Sequence, residues 1–430
     1  AGSLAKPFTA IAVMQLSEAG EIDIDQPLNG YLPAFSIRSR FDAAGEPITV
    51  RSALCHHSGL PTDLNKGMWT SQPLTEVAAQ LREEFTAFPP NLVFSYSNVG
   101  YTLLGHMVET VSQMRYDDYM AQRVFGPLGM TRSGMGNPQG NPPNVARGYR
   151  NGKPLQLLPI RDTPALGLYT SAEDLGRFMR SILGSGRAES PRMLQPESLE
   201  ELFEPQNLDV PLDLDILNGL GWFLEDGTIP GGGKVLRHGG TTLAFGSELI
   251  MLPEHGLGVA VMANADGSRG IVSRLAEEIL SRILKATPEP APAGLFLADL
   301  ERTATEHQPA ETAGNYATDF GLISIRPTDA KLCACMVEEM VDLIPYPNGW
   351  FGLGPGAVGS LPPSFKPLAE MRFQTREIDG REVVLAQKGE KQIVLGEKVP
   401  ETPIPDAWLQ RVGRYELMNP DPGYPLTEPT

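Results

Sequence analysis

A run of alternating prolines, Thr287-Pro-Glu-Pro-Ala-Pro-Ala293, sets the first limit on the fold of this chain. Proline fixes its own φ and offers no backbone N–H, so the run can continue neither a helix nor an inner strand. It reads as a semi-rigid spacer. The residues on either side must then build separate cores. This predicts one domain at 1–286, a linker at 287–310 and a second domain at 311–400. Two domains also suit a length of 430 residues at roughly 100–200 residues each.

The first stretch mixes helix and strand signals. Phe8, Ala10, Ile11, Ala12, Val13, Met14 and Leu16 make a segment apolar nearly all round, which predicts a buried helix from residue 3 that Gly20 stops. The same segment crudely imitates a signal peptide, but it runs on into Ser17-Glu-Ala-Gly-Glu21 without an Ala-x-Ala site. A core helix so near Ala1 predicts neighbouring elements ahead of it in the intact protein. Thr49 to Leu60 reads as a short helix and a turn. Leu103, Leu104, Met107, Val108 and Val111 give helical spacing over Asn98 to Met114, and Ser171-Ala-Glu-Asp174 is a capping box opening a helix to Leu183. Glu248 to Leu252 and Leu257 to Met262 predict a hairpin around Pro253-Glu-His-Gly256, and an amphipathic helix follows over Ile271 to Leu284. Helices in the middle with strands late predict a mixed α/β (α+β) domain.

Beyond the linker the period changes. Ile323–Arg326, Leu332–Val337, Val341–Ile344, Met371–Thr375, Val383–Ala386 and Gln392–Leu395 are short strand candidates between turns, which predicts a small antiparallel barrel or sandwich. Ala313-Gly-Asn-Tyr-Ala317 is echoed by Val412-Gly-Arg-Tyr-Glu416, so a second barrel is expected to begin within 411–430.

Composition narrows the partners. A formal charge of −17 spread along the chain repels polyanions, which argues against nucleic acid and anionic membranes as ligands. No apolar run reaches the ~18 residues of a membrane span. Hydrophobic residues at 41% supply ample core, so general disorder is excluded. Three cysteines, Cys55, Cys333 and Cys335, are too few for a disulfide framework, and one Cys-x-Cys is no zinc site.

Three short strings carry chemistry. Ser3 and Lys6 stand three apart on one helical turn, so a hydroxyl and an amine share a face. Serine attacks only when a neighbour removes its proton, and a buried lysine of lowered pKa can help. A helix start also aims N–H groups at a developing oxyanion. Pro7 is a local conflict, since it cannot donate to the Ser3 carbonyl. Tyr96-Ser97-Asn98 offers a phenol that can shuttle a proton and an amide that can hold a carbonyl; its plainer reading is an ordinary helix entry. His238-Gly239-Gly240-Thr241 offers an imidazole beside glycines that let a substrate approach the backbone; its plainer reading is a Gly-rich turn.

The strings gain weight from their order. Ser-x-x-Lys, then Tyr-x-Asn 93 residues on, then His-x-Gly 142 further, resembles the penicillin-recognising serine hydrolases of the class C β-lactamase-like group. That group includes DD-peptidases, D-aminopeptidases and carboxylesterases. The resemblance covers about 1–286 and extends through Ile48-Thr-Val-Arg51, His57-Ser-Gly-Leu-Pro61, Pro127-Leu-Gly-Met130 and Gly167-Leu-Tyr-Thr-Ser171. It implies a catalytic domain with a helical subdomain and an antiparallel sheet. Ser3 would form an acyl-enzyme, with Lys6 and Tyr96 sharing the acid and base work. The N–H groups of Ser3 and Thr241 would make the oxyanion hole, while Asn98, His238 and Gly240 would orient the substrate. No metal or cofactor is implied, and the expected partner is a small molecule or short peptide.

His238 stands where many β-lactamases carry a lysine, which favours amide, D-aminopeptide or ester substrates over β-lactams. The trailing barrel resembles that of three-domain D-aminopeptidases. A genuine β-lactamase and a non-catalytic module that binds cell-wall peptides are the alternatives. His56 and His57 read as structural, His106 as a packed or surface residue, and Cys55 as a small buried hydrophobe. Members of the group carry a helix and edge strands ahead of the nucleophile, so the sheet here is expected to lack part of its cover.

Overall fold

The computed structural model describes residues 1–41, 46–136, 144–184, 193–284, 312–318, 321–328, 332–336, 339–346, 349–354, 368–389, 391–401, 403 and 405–411. The expected linker at 287–310 and the residues after Arg411, where a second barrel would begin, lie outside these. The chain packs as two units, each described by itself. One gathers Ala1–Leu208 and Leu217–Pro288; the other holds the barrel together with Asp209–Ile216.

Helix α1 (Ala5–Glu18) is the spine of the first unit. Every residue from Ala5 to Met14 is buried, which is why the segment has no polar face. Phe8 stacks on Phe178 at 4.1 Å and meets Phe125 at 5.6 Å. Burying side chains of this size contributes about 1.5–3 kcal/mol each. The helix begins two residues later than its pattern suggests. Ser3 and Leu4 form a turn in which Ala5 N donates to Gly2 O and Lys6 N to Ser3 O, both at 3.0 Å. Lys6 thus serves the Ser3 carbonyl that Pro7 cannot, and the conflict dissolves.

Short polar caps set the other helices. Thr49 and Ser52 form a reciprocal capping box on α2 (Val50–Leu54). The Ser97 hydroxyl accepts from Gly100 N at 2.9 Å to open α3 (Asn98–Ser112). Ser171 does the same for Asp174 N at the start of α4 (Ala172–Leu183).

The sheet runs β1 (Leu217–Asn218), β2 (Phe223–Leu224), β3 (Leu236–Thr242), β4 (Phe245–Leu252), β5 (Leu257–Ala263), antiparallel in sequence order. The β4–β5 pair is the expected hairpin, and α5 (Arg269–Ile283) buries Ala276 and Leu280 against Ile250 and Leu252. Most of β5, at the edge of the sheet, is only half-buried, and α5 leaves Ile271, Leu275 and Ile283 exposed.

The second unit is a closed eight-stranded antiparallel barrel: β6 (Gly314–Thr318), β7 (Gly321–Pro327), β8 (Leu332–Met336), β9 (Glu339–Pro345), β10 (Phe351–Leu353), β11 (Arg372–Ile378), β12 (Arg381–Lys388) and β13 (Lys391–Val399). Pairing of β6 with β13, from Asn315↔Val399 to Thr318↔Gly396, closes it. Alternate residues such as Tyr316, Ile323, Ile325, Leu343, Phe373 and Val384 fill its interior.

Candidate active site

The three chemical strings meet in the first unit. Ser3 lies half-buried in the turn before α1, and Lys6 follows on the first helical turn. Tyr96 sits in the loop before α3 and Asn98 is that helix's first residue; His238, Gly240 and Thr241 lie on β3. Bridges from Gly2 to Gly167 and Leu168 hold the Ser3 turn from its other side.

Lys6 is buried completely. Its Nζ donates to Asn98 Oδ1 at 2.6 Å and to the Ala165 carbonyl at 3.0 Å, and lies 4.6 Å from the Tyr96 ring centre. Burial holds its pKa well below the ordinary lysine value, with the carboxylates of Asp63 and Asp162 pulling the other way. A neutral amine has two N–H donors and one lone pair. Both donors are spoken for, and the lone pair remains to take a proton.

Tyr96 shares a side-chain hydrogen bond with Ser3. Burial raises its phenol pKa above the usual value, with the Ser3 bond opposing, so the resting phenol stays protonated. Its ring is clamped by His56 at 4.3 Å and by Phe223, parallel at 6.4 Å. His56 Nδ1 accepts from Ser97 N at 3.0 Å, which assigns the remaining proton to Nε2. The residue takes a left-handed φ of 64°, and burial pushes its pKa well down. His56 is structural, as expected, but it is the wall on which Tyr96 rests. His57 donates to the Cys55 carbonyl at 2.7 Å in the same turn, and Cys55 is buried. His106 is half-buried on α3 and, like His56, is held below the ordinary value by burial.

Strand β3 forms the opposite wall. A Cβ on Gly240 would collide with the Ala1 carbonyl oxygen and stand 2.6 Å from Ser247 Oγ, so only glycine lets the strand pass this close to the Ser3 turn. Ser247 on β4 locks the approach by donating to Ala1 O at 2.7 Å. A Cβ on Gly2 would stand 2.8 Å from Thr241 N, so the backbones of Thr241 and the Ser3 turn are in direct contact. Thr241 on β3 thereby packs directly against the residue that precedes Ser3. His238 donates from Nδ1 to the Gly239 carbonyl at 2.8 Å, and its ring meets Phe223 at 5.4 Å. Burial lowers its pKa to about 3, so it is an uncharged imidazole at neutral pH.

Three features escape sequence reasoning because no short motif ties their partners together. Asp63 Oδ1 accepts from Asn98 Nδ2 at 2.7 Å, which fixes the amide with its oxygen toward Lys6. Behind it, Arg161 and Asp162 form a side-chain pair with no exposure at 2.6 Å, and the guanidinium also donates to the carbonyls of Leu64 and Lys66. Beside β3, Glu248 is buried between Arg237 at 3.1 Å and Arg269, whose guanidinium lies over Gly239. Among the described residues, no cluster of three or more His, Cys, Asp or Glu is placed to hold a metal ion, and no helix is long and apolar enough to cross a membrane.

Comparison with known proteins fits this geometry. Protein flp of Staphylococcus aureus (strain N315) is 24% identical over 291 residues, 65% of this chain and 55% of its own length. The chain thus spans about half the length of the curated relatives it matches. The solved structure of SurE with D-Leu is 24% identical, with a TM-score of 0.63 over 93% of this chain and 86% of its own. The penicillin binding protein from Bacillus halodurans is 26% identical, with a TM-score of 0.54 over 65% of this chain and 85% of its own. The beta-lactamase family model matches residues 1–282, well over half of the sequence and all of the residues gathered around Ser3. This chain belongs to the beta-lactamase family.

Proposed function

We propose that this protein is a serine hydrolase acting through an acyl-enzyme on Ser3, cleaving amides or peptides with D-amino acids or small esters. One observation carries the reading: a buried amine with both N–H groups engaged and its pKa depressed, three residues from a serine that is hydrogen-bonded to a protonated tyrosine. Lys6, the group whose free base is favoured, takes the Ser3 proton. Tyr96, whose phenolate is disfavoured, relays that proton and delivers it to the leaving group. The developing oxyanion is held by the N–H groups of Ser3 and Thr241, a stabilisation of about 2.7–4 kcal/mol per donor. Asn98 and the strand at Gly240 align the acyl donor. Water then releases the product by the same path in reverse.

The uncharged His238 supports amide and ester substrates over β-lactams, because it offers no cation to a β-lactam carboxylate. SurE, a structural neighbour solved with D-Leu, supports a D-amino acid as part of the substrate. A purely binding role is less well supported, since a depressed lysine has no use in a passive pocket. The test is exposure of the 430-residue chain to a fluorophosphonate, followed by mass spectrometry of the Ser3 peptide. Labelling at Ser3 that disappears in Ser3→Ala is expected; an unlabelled Ser3 overturns the reading.

A further inference from the structure

We infer that Asp63 is a specificity-determining residue whose carboxylate receives a protonated amine on the acyl donor, so that the site selects substrates with a free amino group beside the scissile carbonyl. This rests on the proposed hydrolase reading and deepens it. Asp63 is half-buried at the end of the Lys6–Asn98 row. Its Oδ1 is taken by the Asn98 amide at 2.7 Å, which fixes the carboxylate's direction, while Oδ2 accepts from no donor among the described residues. Asp63 lies two hydrogen bonds from the Lys6 amine, through the Asn98 amide, and its charge is felt at both Lys6 and Tyr96.

Charge around the site favours a cation. Lys6 is buried and its donors are engaged, His238 is neutral, and Arg269 is committed to Glu248. Asp162, the other acid near Lys6, is covered and held by Arg161. Asp63 is therefore the carboxylate with an oxygen to spare. An α-ammonium is two bonds from the carbonyl carbon that Ser3 attacks, and its proposed seat is the Asp63 oxygen that Asn98 leaves open. A charge-assisted bond there is short and directional. A carboxylate at that point meets repulsion instead.

Binding measured without turnover separates this inference from the hydrolase reading. Ser3→Ala full-length protein is titrated calorimetrically at pH 6.5 with D-alaninamide, N-acetyl-D-alaninamide and D-lactamide, which has a hydroxyl in place of the ammonium. D-Alaninamide is expected to bind at least tenfold more tightly than either neutral analogue. Asp63→Asn keeps the oxygen that Asn98 needs while removing the charge, and in the Ser3→Ala background it is expected to bring the ratio to within about twofold of unity. Equal affinities for the three ligands, or a preference that survives Asp63→Asn, overturn the inference. The three-ligand comparison needs no substitution at Asp63, so it stands even where that variant misfolds. Failure of Ser3 labelling bears only on the hydrolase reading.

Discussion

Lys6 Nζ and Asn98 Oδ1 are 2.6 Å apart, and the other end of the Asn98 amide is tied to Asp63 at 2.7 Å. The amide can therefore present only its oxygen to the amine, and it holds one N–H of Lys6 away from Ser3. Replacing Asn98 by Ala removes that hold and leaves the buried amine with the Ala165 carbonyl as its one remaining acceptor among those described. Turnover of a p-nitrophenyl ester by Asn98→Ala is expected to fall about 10–100-fold through kcat, with Ser3 still open to fluorophosphonate. An unchanged kcat would show that Lys6 needs no such guide.

Lys6 can take the Ser3 proton only as a free amine, so activity is lost as pH falls through its pKa. That pKa is set by burial against the pull of Asp63 and Asp162. Removing the Asp63 charge weakens the pull and lowers the pKa further. The acid limb of kcat/KM against pH for a neutral ester is thus expected to move to lower pH in Asp63→Asn. Movement to higher pH would contradict the assignment of Lys6 as base.

Gly239 and Gly240 are neighbours with opposite tolerances. A Cβ on Gly240 meets the Ala1 carbonyl, which is backbone, and pushes the Ser3 turn off β3. A Cβ on Gly239 meets the tip of the Arg269 side chain, which can swing away. Gly240→Ala is expected to lose at least 100-fold in activity with its circular dichroism intact, and Gly239→Ala less than tenfold. Equal losses would place the oxyanion donors elsewhere.

Burial of His238 has a cost that acid reveals. Its pKa is about 3 when folded and near 6.5 when unfolded. Between those values the unfolded chain binds the extra proton, so stability is full above pH 6.5 and declines as pH falls toward 3. The slope is about 1.4 kcal/mol per pH unit from this group. Urea denaturation from pH 6.5 to 4.5 should show a shallower loss in His238→Gln than in the wild type.

The Arg161–Asp162 pair makes a stability prediction. Arg161→Met strands a buried carboxylate and strips donors from the carbonyls of Leu64 and Lys66. Breaking such a pair from one side costs about 3–5 kcal/mol, which urea denaturation can read directly.

The order of the Ser3, Tyr96 and His238 strings was enough to bring their residues to one place, because each string is local and chemically unusual. Asp63 and Arg161 were invisible, since an acid and an arginine among many carry no spacing that ties Asp63 to Asn98, 35 residues on, or Arg161 to the carbonyls of Leu64 and Lys66, 97 and 95 residues before it. His56 was read as a turn residue and is one, yet nothing in its neighbours tells that its ring meets Tyr96. In the barrel, six strands showed as apolar runs. Phe351–Leu353 was missed because three residues give too short a pattern, and Gly314–Thr318 because Gly, Asn and Thr dilute the alternation that Tyr316 anchors.

Closure of the barrel by its first and last strands also dictates an order of events during synthesis. Until Val399 has left the ribosome, β6 presents a bare row of N–H and C=O groups and waits for a partner about eighty residues downstream. Translation delivers the barrel after the first unit, strand after strand, and each newly made strand is briefly an open edge to which a neighbouring nascent chain can add. Pausing within residues 381–399 would lengthen that exposure, so the tempo of elongation there bears directly on the yield of native protein.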